Sequence, residues 1–149
     1  MYEKKKLTAR QYLGQLQELD INNNQNLELL AEMEEKAKDT VGIDYSRERV
    51  QASMSGDKLC NDVIHYVSFC EQIKEENDHF IDVKNQIISE IRGLHVNNYC
   101  QVLFKVYVQF KSVRQAAKEM KKSYSYVIEL HNKALEMFEK TYKNLYYLT

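Results

Sequence analysis

Not one proline interrupts this chain of 149 residues, and glycine occurs only four times. Average proteins carry about 5% proline and about 7% glycine, so the residues that most often stop a helix are scarce here. That scarcity predicts an all-α fold built on long, uninterrupted helices. Apolar residues make up 44% of the chain. This suffices for one ordinary domain, or for a small domain carrying an extended element.

Helix signals begin at Leu7. Thr8 and Gln11 have the spacing of a reciprocal capping box, and Leu7 and Tyr12 that of a hydrophobic staple. The helix they open places Tyr12, Leu16, Leu19, Leu30, Met33 and Ala37 on one stripe, with Asn23 and Asn26 in its middle. Residues 22–26 (NNNQN) have weak helix propensity and predict a kink or frayed turn. Residues 41–58, bracketed by Gly42 and Gly56 and rich in Ser and Asp, read as a loop.

From Leu59 a heptad stripe follows: Leu59, Val63, Tyr66, Cys70, Ile73, Asn77, Phe80, Lys84, Ile87, Ile91 and Leu94, with Gly93 placed to end the helix. Two such stripes joined by a loop fit a long antiparallel helical hairpin, a coiled-coil-like arm over residues 1–96, with Asn77 opposite Asn23 or Asn26. A homodimer through the same stripe satisfies the pattern equally.

Residues 97–149 read as a separate three-helix unit. Asn97 is placed to cap a helix with Tyr99, Leu103, Val106, Tyr107 and Phe110 on one face. Ser112 then stands before a short run with Val113, Ala116, Ala117 and Met120 on one face, and Ser123 before a longer one with Val127, Leu130, Ala134 and Leu135. A short helix, the Lys121-Lys122 turn and a longer helix, with alanines at the crossing, form the helix-turn-helix pattern. The last helix is expected to extend through Phe138, Tyr142, Leu145 and Tyr146.

Charge is unevenly shared. Residues 1–96 hold 12 Lys/Arg against 18 Asp/Glu, and residues 97–149 hold 9 against 4, which points the basic end at a polyanion such as double-stranded DNA. Lys111, Arg114, Lys118, Lys121, Lys122 and Lys133 are the candidate phosphate contacts. Ser123, Tyr124, Ser125, Ile128, Glu129 and Asn132 occupy the base-facing positions of the second helix.

Other chemistries find no support. Cys60, Cys70 and Cys100 form no CxxC pair, the four histidines are dispersed, and no Walker, GxSxG, HExxH or EF-hand spacing occurs. Neither an enzyme nor a metal or cofactor site is expected. No run approaches the ~20 apolar residues of a membrane span, and the N-terminus lacks the apolar core of a signal peptide, so a cytoplasmic location is expected.

Three stretches resemble small phage- and mobile-element regulators of the ArpU/RinA type, whose C-terminal unit is similar to region 4 of sigma-70 factors. They are LTARQYLGQLQELD, VQASMSGDKLCNDVI and KSVRQAAKEMKKSYSYVIELHNKALEMFEK, and the resemblance spans about residues 7–140. It implies transcription regulation by DNA binding. Where that family usually has glycine in the turn, this chain has Lys121, and where arginines often open the second helix, it has Tyr124 and Ser125, with Glu129 one turn on. Those departures keep a second expectation open. The chain is then a mobile-element interaction protein or inhibitor, whose acidic arm or tyrosine-rich tail engages a host nucleic-acid enzyme such as RNA polymerase or a CRISPR nuclease, with the helix-turn-helix kept as scaffold.

Overall fold

A computed structural model describes the backbone of residues 4–41 and 52–149 and the side chains of 4–36 and 60–149. The regular structure among these residues is all helical: α1 (Ala9–Val41), α2 (Ala52–Arg92), α3 (Asn97–Leu103) continued by a π-helical turn (Phe104–Val108), α4 (Val113–Met120) and α5 (Tyr124–Thr141). The chain divides into two compact units, unit 1 comprising Met1–Asp20 with His79–Thr149, and unit 2 comprising Ile21–Asp78.

The start of α1 follows the sequence pattern. Thr8 N–H donates to Gln11 Oε1 at 3.1 Å and Gln11 N–H to Thr8 Oγ1 at 3.3 Å, closing the capping box. Leu7 and Tyr12 are both buried. A third contact, from Ala9 N–H to Glu139 Oε1 at 2.8 Å, brings a carboxylate to the positive end of the helix. Residues 22–26 produce no break, and α1 runs through them. Residues 52–58, expected in a loop, are the first turns of α2, while 42–51 lie outside the described residues.

Within unit 1, Tyr12 hydroxyl donates to Glu90 at 2.5 Å, and burial followed by that hydrogen bond raises the phenol's pKa well above its usual value. Within unit 2, Asn26 bonds Glu76, and Tyr66 hydroxyl donates to Glu34 at 2.9 Å. In each unit, then, α1 and α2 contact one another directly. Asn77 is exposed, so the expected pairing of Asn77 with Asn23 or Asn26 is replaced by Asn26 with Glu76. Val83 is buried where the strict heptad had placed Lys84, and Val63 is 53% exposed. Counted back from Ile87 at 3.6 residues per turn, the inward positions fall at Val83, Phe80, Glu76, Ile73 and Phe69. A 3.5-residue repeat drifts from that face by ~20° per heptad.

The fully buried side chains belong to unit 1: Leu13 and Leu16 of α1, Ile87 and Ile91 of α2, Val102 and Leu103 of α3, Val127 and Phe138 of α5, and Leu145. No described residue of unit 2 is fully buried. Its Leu30 and Met33 of α1 and Tyr66, Phe69, Cys70 and Ile73 of α2 are half-buried.

Two further expectations change. Val96, not Asn97, is the N-cap of α3, and no side chain caps it. The π-helical turn closes with Gln109 N–H on Phe104 O at 3.0 Å, five residues back. The extra residue rephases the helix, so Val108 is buried while Val106 and Tyr107 are half-buried.

Helix α5 ends at Thr141 instead of continuing to Tyr146. The last residues spend their backbone groups on the N-terminal segment: Leu7 N–H donates to Leu145 O at 2.8 Å, and Leu148 N–H to Gln15 Oε1 at 2.9 Å. Tyr142 hydroxyl donates to Glu90 O at 2.7 Å over Gly93, where a Cβ would overlap the hydroxyl. Gly93 serves close approach here, since its φ is not positive.

Candidate nucleic-acid interface

Helices α4 and α5 are held by local chemistry at both ends of the turn between them. Ser112 Oγ accepts from Gln115 N–H and Gln115 Oε1 accepts from Ser112 N–H, each at 3.2 Å, a full capping box. Ser123 Oγ accepts from Tyr126 N–H at 3.2 Å. At the end of α4, Lys122 N–H bonds Ala117 O at 3.0 Å and Lys121 N–H bonds Lys118 O at 3.2 Å, the paired bonds of a Schellman motif. Ala116 and Ala117 are buried at 0% and 4% exposure and belong to one apolar core with Val127, Leu130, Ala134 and Leu135 of α5.

Lys121 takes φ 57°, ψ 42°, the left-handed conformation that favours glycine. Lys121→Gly is expected to raise stability by about 1 kcal/mol, read by chemical denaturation, because the Cβ strain is relieved. It also removes one cation from the exposed surface.

The six candidate phosphate contacts divide into two groups. Lys111 is tied to Glu119 at 2.5 Å, with Lys105 3.6 Å from the other carboxylate oxygen, and these lysines hold the Glu119 carboxyl below its usual range. Lys133 pairs with Glu129 at 3.5 Å on the same helix. Arg114, Lys118, Lys121 and Lys122 are exposed and, among the described residues, form no ion pair. Two of these four rest over tyrosine rings: Arg114 Cζ lies 4.9 Å from the Tyr124 centroid, and Lys122 Nζ 5.9 Å from that of Tyr126.

Of the base-facing candidates, Ser123, Tyr124, Ser125, Glu129 and Asn132 are exposed, and Ile128 is half-buried. Tyr124 and Tyr126 are 45% and 43% exposed, high for large aromatic rings. Sequence spacing does not mark Tyr126, since Lys122 precedes the Ser123 N-cap and lies outside the helix. Beside it, Tyr126, Glu129, Leu130 and Lys133 line an open hollow of about 300 Å³ with Val96, Asn98 and Tyr99.

Behind this face lies a polar pair that sequence spacing does not reveal. Tyr107, on the π-helical turn, has its hydroxyl 2.8 Å from Nε2 of His131, with the rings stacked at 5.5 Å. His131 is 6% exposed. Burial lowers its pKa, the Arg10 charge adds to that, and a hydrogen bond with Asn132 works in the other direction. Because the folded state holds the imidazole neutral, this stability is fully present above about pH 6.5 and is lost as pH falls below that value. Melting temperature is expected to fall between pH 7.5 and 5.5, and His131→Asn is expected to flatten that dependence.

Among the described residues, no three His, Cys, Asp or Glu side chains are grouped to hold a metal ion, and no helix is long and apolar enough to cross a membrane. No protein-family model, curated protein or solved structure matches this chain.

Proposed function

We propose that this chain is a DNA-binding transcription regulator of a phage or mobile element, with α3, α4 and α5 as a sigma-region-4-like helix-turn-helix and α1 and α2 paired as a helical hairpin. The observation that carries this reading is the pairing of a double-capped turn with four exposed, unpaired cations beside the first turn of α5. Helix-turn-helix units present the start of the second helix to the major groove while flanking groups hold phosphates. Charge agrees: unit 1 holds 15 Lys/Arg against 9 Asp/Glu, a balance of +6, whereas unit 2 holds 6 against 13, a balance of −7.

One observation favours a second role for unit 2. Cys60, Val63, Ile64 and Val67 are exposed along α2 at i, i+3, i+4 and i+7, the last three at 53%, 57% and 48%. Glu71, Glu75 and Asp78 continue the stripe. An apolar ridge that turns acidic suits a basic groove on a host protein. RNA polymerase, another nucleic-acid enzyme, or a CRISPR nuclease would each supply one.

Hydrogen exchange of the full chain with and without duplex DNA at low salt separates the two. Protection is expected across 111–133 and not across 60–78. Protection confined to 60–78, or none at all, contradicts DNA binding through α4 and α5.

A further inference from the structure

Guanine is the base most often read by helix-turn-helix proteins, through arginine or lysine donors aimed at its O6 and N7 acceptors. The outward face at the start of α5 has the opposite chemistry. Arg114 and Lys122 are drawn over the Tyr124 and Tyr126 rings, and Lys133 is drawn onto Glu129. The groups left facing outward are two phenol rings, the Ser125 hydroxyl, the Glu129 carboxylate and the Asn132 amide.

We infer that this surface reads adenine and rejects guanine on the strand it faces, with Asn132 as the principal reader of adenine. The inference rests on the DNA-binding role proposed above. An asparagine amide matches adenine's N6 donor and N7 acceptor in one bidentate contact, and Asn132 is exposed on the same face of α5 as Ser125 and Glu129. Tyrosine rings offer apolar contact to the thymine methyl. The Glu129 carboxylate, 68% exposed, accepts from the exocyclic amine of adenine or cytosine and repels the two acceptors of guanine on the strand it faces. Arg114 and Lys122, over the rings, remain for the phosphates.

The test selects binding sites for the full chain from a duplex library with a random 20-base-pair centre, at low salt. Selected sites are expected to share a short core that holds adenine and lacks guanine on the strand that α5 faces. Asn132→Ala is expected to lose about ten-fold of the preference for a selected site over random duplex, the worth of one bidentate contact. Glu129→Gln is expected to readmit guanine while binding to random duplex holds or rises. Both positions are exposed, so folding is retained and is checked by circular dichroism. A guanine-centred core, or full preference in Asn132→Ala, overturns the inference while leaving DNA binding intact. Failure to retain any duplex overturns both.

Discussion

Truncating Phe138 to alanine is expected to cost about 3–5 kcal/mol, the range for removing a fully buried aromatic side chain. Phe138 has no exposed surface. Its ring stands 5.8 Å from that of Tyr12 and 4.9 Å from that of Tyr142, so one side chain joins α1, α5 and the extended tail. Neither tyrosine can collapse freely into the vacated space. Tyr12 is held to Glu90 and Tyr142 to the Glu90 carbonyl. Urea denaturation followed by circular dichroism reads the loss. Phe138→Leu, which keeps most of the volume, should cost less than half as much. A loss below about 1 kcal/mol for alanine would mean that the tail and the start of α1 are not packed on α5 as described.

The second large effect concerns affinity. Replacing Lys118, Lys121 and Lys122 together by alanine is expected to weaken duplex binding on the order of 100-fold near physiological salt, from three lost phosphate contacts. All three are exposed and unpaired among the described residues, so the fold should survive. Lys111→Ala is the matched control. That lysine is already bound to Glu119, and its removal is expected to change affinity several-fold less. Equal binding by wild type and the triple variant would show that this face does not meet DNA.

Local signals were the most readable part of this chain. Thr8 with Gln11, Ser112 and Ser123 each form the caps their spacing announced, because a capping bond spans only three residues. The apolar face of α5 was equally legible, since Val127, Leu130, Ala134 and Leu135 are all buried. Register was less so. Asn77 and Lys84 fitted a perfect heptad, yet a difference of ~20° per heptad between 3.5 and 3.6 residues per turn is enough to bring Glu76 and Val83 inward instead.

Contacts distant in sequence were invisible. Nothing near Tyr142 announces the end of α5, which is set by bonds from Leu7 N–H to Leu145 O and from Leu148 N–H to Gln15 Oε1. The π-helical turn that brings Tyr107 onto His131 left no sign either. At the candidate interface the six cations were identifiable by type, but not their division into paired and unpaired groups. That division depends on Glu119 and Glu129, whose reach is a matter of side-chain geometry.

The central claim is that unit 1 holds duplex DNA through the cations around α4 and the start of α5. Its most direct test is the affinity of the full chain for a random-sequence duplex at 50 and at 200 mM salt, measured by fluorescence anisotropy. Four phosphate contacts predict a fall on the order of 100-fold between the two conditions. No binding at 50 mM, or the same affinity at both, would contradict it.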